Sequence, residues 1–194
     1  MGACAGSPSP WRVRWALFGI AVLVARVVEG SWPDLARFGA STEYPALPLV
    51  VFWLVNVLFY GFGSNMGWRG FAQPMFERRR SPLRAALVIS VIWTAWHLPL
   101  FGITATYRAM PAAGFVGFFL SMVSGSLVLA WLYRRGGILA AAVFHAVFDI
   151  ATTTPTTTTL IPTVMGAAIT VASLAVIPAL WCQAPGRTAL PAPS

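Results

Sequence analysis

A chain of 194 residues with 58% hydrophobic and 9% charged content is not composed like a water-soluble domain, because soluble domains carry about 25% charged residues. All 13 basic residues are arginine, against five acids, for a formal net charge of +8. A nucleic-acid binder holds such charge on a solvated surface, whereas these arginines punctuate long apolar runs, so the composition excludes a nucleic-acid role and selects an integral membrane protein with the lipid bilayer as its partner.

A helical span takes about 20 apolar residues. Six such stretches follow one another at 15–30, 46–63, 84–101, 113–133, 138–151 and 160–181. The spacing predicts an all-α, polytopic membrane protein of about six transmembrane helices, forming a single domain over 1–194. Turn signals separate the spans: Trp32-Pro33-Asp34, Ser81-Pro82, Met110-Pro111, Arg134-Arg135-Gly136-Gly137 and a Thr-rich tract at 152–159. The N-terminus is a poor secretory signal, with its first basic residues only at Arg12 and Arg14, and Gly6 stands where a myristoylation motif has Ser or Thr. Cys4 and Cys182 lie near opposite ends, which argues for neither a disulfide framework nor a structural zinc site.

The arginines orient the spans. Arg12, Arg14, Arg69, Arg78, Arg79, Arg80, Arg84, Arg134, Arg135 and Arg187 fall on one side of a six-helix map. Only Arg37 and Arg108 fall on the other, and Arg26 lies within the first span. Ten against two is the asymmetry expected of a cell-membrane protein with both termini in the cytoplasm. No internal repeat is evident, which counts against a small transporter.

Ionisable groups inside a membrane are costly and mark functional sites. The chain has only two histidines, His97 and His145, and both fall in predicted spans. Of the acids, Glu29, Asp34, Glu43 and Glu77 read as span ends or loops, which leaves Asp149 alone inside. His145 and Asp149 are four residues apart and share one helical face. Two imidazoles and a carboxylate suit a divalent metal such as zinc. They suit substrate binding or oxyanion stabilisation equally, and a plain hydrogen bond between two helices is the structural alternative.

Three collinear segments carry a family resemblance. Gly67-Trp68-Arg69-Gly70-Phe71-Ala72-Gln73-Pro74, then Ile92-Trp93-Thr94-Ala95-Trp96-His97-Leu98-Pro99, then Ala130-Trp131-Leu132-Tyr133 through to His145-Ala146-Val147-Phe148-Asp149, together resemble the CPBP family. That family comprises type II CAAX prenyl endopeptidases, bacteriocin-processing enzymes and abortive-infection proteins, and the likeness runs over residues 46–151. Its signature is Glu-Glu-x-x-x-Arg, aromatic-x-x-x-His and His-x-x-x-Asn or Asp on separate helices. The resemblance therefore assigns site roles to Arg69, to His97 with Trp93 in the aromatic place, and to His145 with Asp149. It implies an intramembrane endopeptidase whose first glutamate activates water.

The sequence departs from the signature at its centre. Ser64 and Asn65 stand where the two glutamates belong, and neither a hydroxyl nor an amide has the pKa of a general base. The expectation is a CAAX-type homologue impaired in the glutamate mechanism that still binds a prenylated or hydrophobic peptide. One alternative is a metalloprotease built on His97, His145 and Asp149, in which the metal itself activates water. Another is a membrane binding or immunity module. Ser64 as a nucleophile with His97 or His145 as its base requires a meeting that one sequence does not show. Arg69 reads as a partner of Asp149 or of lipid phosphate, and Arg78-Arg79-Arg80 as a cytoplasmic patch on anionic headgroups.

Overall fold

The computed structural model describes residues 10–30, 32, 36, 38–41, 43–153 and 160–182, with side chains in the first helix placed from Gly19 onward. Every regular element among the described residues is helical. Cys4, Asp34, Arg37, the Thr-rich tract at 154–159 and Arg187 lie outside the described residues, as do the side chains of Arg12 and Arg14.

Helix α1 (Pro10–Glu29) begins on a proline, whose missing N–H costs nothing at the first helical position. It ends where Gly30, at φ +72°, donates its N–H to the Arg26 carbonyl, a left-handed cap that glycine adopts without strain. Helix α2 spans Leu49–Glu77 and contains two π-helical stretches, Asn56–Gly63 and Met66–Ala72. Helix α3 (Pro82–His97) starts from Ser81, whose hydroxyl accepts the Arg84 N–H at 3.4 Å, with Pro82 in the first turn. Two single-turn helices, α4 (Leu100–Ile103) and α5 (Ala105–Arg108), lead into α6 (Ala112–Thr153). Helix α7 (Leu160–Trp181) closes the described chain and coincides with the sixth predicted span.

The fourth and fifth predicted spans are the two arms of α6, interrupted at Gly136 and Gly137, where the backbone leaves helical geometry. Gly137 has φ +67° and ψ −165°, a combination essentially confined to glycine. The chain reverses here. The Trp93 ring meets the His145 ring on the second arm at 5.4 Å, and its edge lies 3.8 Å from where a Cβ on Gly125 of the first arm would sit. In a straight helix those residues would be about 30 Å apart, beyond the reach of one indole.

Four described helical segments are long and apolar enough to cross a bilayer: Leu49–Glu77, Pro82–Ile103, Ala112–Thr153 and Leu160–Trp181. The molecule is thus a polytopic helical membrane protein. The core lies between α3, α6 and α7, around Trp93, Leu127, Leu129, Phe144, Ile169 and Leu180. Ala21 and Ala25 of α1 pack against Ala151, Ile161 and Met165, small residues that let helices approach closely where lipid offers no hydrophobic drive to associate. Leu58, Val91, Val171 and Leu174 are left on the exterior, as expected of a lipid-facing surface.

Two sequence expectations are corrected. The second span does not stop at 63: its helix runs on to Glu77, carrying Asn65 and Arg69 into the interior and leaving Ser64 half-buried between them and the surface. Glu77 does end its helix and Arg134 does lie two residues before the Gly136 break, but both are buried and form an ion pair with each other. Arg69, assigned with Arg134 to the positive side, is likewise interior at 1% exposure. Hydropathy averages miss these groups because partners inside the bundle satisfy them.

Candidate active site

The site forms where α2 meets the second arm of α6. Gly61 makes that approach possible: a Cβ there would lie 2.9 Å from the Ala142 carbonyl oxygen and 3.1 Å from the Ala146 Cβ. One turn further along α2, Ser64 and Asn65 face His145. Ser64 Oγ lies 3.2 Å and Asn65 Nδ2 3.0 Å from His145 Nδ1. On the far edge of the ring, Nε2 lies 3.5 Å from Asp149 Oδ2. A straight-helix drawing of the predicted spans separates these residues in depth; extending α2 to Glu77 places Ser64 mid-helix and removes the conflict.

The hydrogen bonds fix how His145 is protonated. Asn65 Nδ2 donates to the Gly61 carbonyl at 2.7 Å, which identifies that atom as the amide nitrogen. Its other N–H faces His145, so Nδ1 accepts and the ring proton resides on Nε2, the nitrogen on the side of Asp149. The Ser64 hydroxyl donates to the Tyr60 carbonyl one turn back. His145 is thereby held as a neutral base whose lone pair points at a hydroxyl and an amide.

His97 joins this group through Trp93. Its Nδ1 donates to the Trp93 carbonyl at 2.7 Å, and its ring meets the Trp93 indole edge-on at 5.6 Å. The same indole contacts His145 and lies 5.8 Å from the Arg69 guanidinium carbon. Trp93 is the hub of the site, a role its place in the aromatic-x-x-x-His motif does not disclose. Among the described residues, no three His, Cys, Asp or Glu side chains form a group that could hold a metal ion.

Arg69 pairs with neither Asp149 nor the membrane surface. Its Nη atoms donate to Gln73 Oε1 at 3.1 Å and Ser126 Oγ at 3.2 Å, and Nε has no hydrogen-bond partner. Ser126 passes its own proton to the Ala86 carbonyl at 2.8 Å. Gln73 donates onward to Glu77 at 2.6 Å, and Glu77 accepts from Arg134. A buried polar column thus descends one face of α2, from Arg69 through Gln73 to Glu77, tying it to α3 and to the first arm of α6. The four-residue spacing of Arg69, Gln73 and Glu77 was the available signal, because positions i, i+4 and i+8 share a helical face. Ser126 gave none, being a single hydroxyl in an apolar run.

Beside Ser64 a groove of about 660 Å³ opens onto the bundle surface, lined by Phe59, Tyr60, Gly63, Trp68 and Trp96 among others. Ser64 stands at its boundary while His145 lies behind, with only 11% of its side chain exposed. The arrangement is an apolar groove with one hydroxyl, backed by an imidazole and a carboxylate.

Comparison with known proteins gives the family. The family described as type II CAAX prenyl endopeptidase Rce1-like matches residues 46–151, the stretch that contains all the site residues above. The chain belongs to this family. A relative named CAAX prenyl protease 2, from Methanococcus maripaludis, is 27% identical over 119 residues, covering 58% of this chain and 42% of the relative. The chain therefore spans less than half the length of that relative. No solved structure matches it. Ser64 and Asn65 lie within the matched residues.

Proposed function

We propose that this protein is a CAAX-protease-like intramembrane endopeptidase homologue that has lost glutamate-based activation of water and holds a prenylated or hydrophobic peptide in the groove beside Ser64. The observation that carries the reading is the pair of contacts to His145 Nδ1, made by a hydroxyl and an amide where the family signature puts carboxylates. A positioned general base contributes about 10²–10⁴-fold to a hydrolysis, and that contribution is forfeited here. Asp149 does not replace it, because it faces the opposite edge of the imidazole from the groove residue Ser64.

The groove is the part retained. Its walls of Phe59, Tyr60, Trp68 and Trp96 suit an isoprenoid or other apolar chain, and the relative's name connects this scaffold with prenylated CAAX substrates. The exposed Arg78, Arg79 and Arg80 support a reading in which both termini lie in the cytoplasm of a cell-membrane protein. The test is binding and cleavage of a farnesylated CAAX peptide by the purified full chain in nanodiscs. Binding, read from quenching of Trp68 and Trp96, is expected for the farnesylated peptide, absent for its unprenylated form, and weakened by Phe59→Ala. Equal binding of both peptides sinks the groove assignment.

A further inference from the structure

The groove, the hydroxyl at its edge and the imidazole behind it have a chemistry of their own. We propose that Ser64, His145 and Asp149 form a nucleophilic relay in which Ser64 is acylated by an ester or amide carbonyl carried on an apolar chain.

The division of roles follows from the hydrogen bonds. A serine hydroxyl becomes a nucleophile when an adjacent base takes its proton and a third group orients that base. Ser64 Oγ is 3.2 Å from His145 Nδ1, within the reach required for proton transfer. Asp149 lies on Nε2 at 3.5 Å and so favours the tautomer whose Nδ1 lone pair faces Ser64. The carboxylate is four residues along the helix that carries the base, so the orientation is set within a single element. Ser64 borders the groove, and a carbonyl carbon seated there meets Oγ without crossing the protein core. His97 is not placed in the relay: its Nδ1 donates to the Trp93 carbonyl and its contact with the site runs through the Trp93 ring.

The step balances without an outside reagent. The Ser64 hydroxyl rotates from the Tyr60 carbonyl toward Nδ1, displacing the Asn65 N–H that Nδ1 otherwise accepts, and passes its proton there as Oγ bonds to the carbonyl carbon. The bond from that carbon to the leaving oxygen or nitrogen breaks, and the leaving group departs with the proton from Nδ1. Water then attacks the acyl-serine by the same exchange, releasing an acid and restoring Ser64.

The proposal uses the apolar groove of the preceding reading, and two probes separate their failures. The full chain in nanodiscs is treated with a compact fluorophosphonate and with a long-chain alkyl fluorophosphonate, and labelling is located by peptide mass mapping. Both probes should label Ser64, the long-chain one faster. His145→Ala should slow labelling by about 10²-fold or more, with recovery on addition of free imidazole. Asp149→Asn should slow it by a smaller factor, and Asp149→Glu should restore part of the loss. Thermal unfolding of each variant confirms that it folds. Labelling of Ser64 at equal rates by both probes upholds the relay and overturns the groove. No label on Ser64, or label indifferent to His145→Ala in a folded variant, overturns the relay whatever the groove binds.

Discussion

Asn65 decides more of the chemistry than its size suggests. By donating to the Gly61 carbonyl and to His145 Nδ1 at once, it fixes the imidazole as an acceptor on the groove side. A carboxylate at 65 would need a proton on that nitrogen instead, so substitution changes the tautomer together with the charge. Glu77 and Arg134 are the second residue-scale case. Their ion pair is 4% exposed or less on each side chain, and removing one partner of a buried pair costs about 3–5 kcal/mol because the other charge is left without compensation. Arg134→Ala should lower stability by that order in detergent unfolding, while the double replacement Glu77→Leu, Arg134→Met should cost markedly less. Equal losses would show that the pair carries no such penalty. Glu43 provides the pH dependence. Outside the spans, it accepts from the Thr106 hydroxyl and from the backbone N–H groups of Thr106 and Ala105. These bonds, that of the Thr106 hydroxyl foremost, hold its carboxyl below the ordinary value. A lowered native pKa means that the attachment is fully present above the ordinary carboxylate value, about 4.3, and is lost as pH falls through the lower native one. Protection of the Ala105 and Thr106 amides relative to their intrinsic exchange rates should fall only in that acid range, and Glu43→Gln should remove the acid step.

At the scale of elements, the site depends on two glycines with different physical reasons. Gly61 permits contact between α2 and the second arm of α6, and Gly137 permits the reversal that makes α6 two arms. Gly61→Val should force these helices apart, costing about 1–3 kcal/mol by overpacking and loosening the contacts of Ser64 and Asn65 with His145. Gly137→Val should cost about 1–3 kcal/mol through backbone strain while leaving the helix-to-helix spacing at Gly61 intact. Thermal unfolding of both variants, with crosslinking of a Ser64→Cys, His145→Cys pair across the same two helices, separates the two mechanisms, since the crosslink should be lost in the first and kept in the second. The sequence made several of these elements legible: Ser81-Pro82 marks the start of α3, and the apolar run at 160–181 is α7 without adjustment. It concealed the true length of α2. Hydropathy falls at Ser64, Asn65 and Arg69, and an average over a window cannot distinguish a polar residue that leaves the membrane from one satisfied within the bundle.

The whole molecule shows the same division. Composition and the order of three motifs sufficed for the fold class and the family, because both depend on long apolar runs and collinear spacing that no side-chain contact can alter. The juxtaposition of the site was not legible, because Ser64 and His145 are 81 residues apart and meet only through the hairpin of α6 and the close approach at Gly61. The arginine asymmetry also changes meaning at this scale. With Arg69 and Arg134 inside the bundle, the exposed Arg78, Arg79 and Arg80 beside Ser81 carry much of the topological signal. A membrane-impermeant maleimide on intact cells should therefore fail to label Arg79→Cys in a Cys4→Ala, Cys182→Ala background and should label Thr106→Cys. The reverse pattern would invert the topology.

On the proposed reading, the Ser64-Asn65 pair lacks the carboxylate that would activate water. The decisive measurement is the initial rate of farnesylated CAAX peptide cleavage, parent chain against Ser64→Glu, Asn65→Glu, at equal occupancy of peptide. The rate in the parent should be lower by about 10²-fold or more. A parent that cleaves as fast as the double variant would overturn the loss of glutamate-based activation.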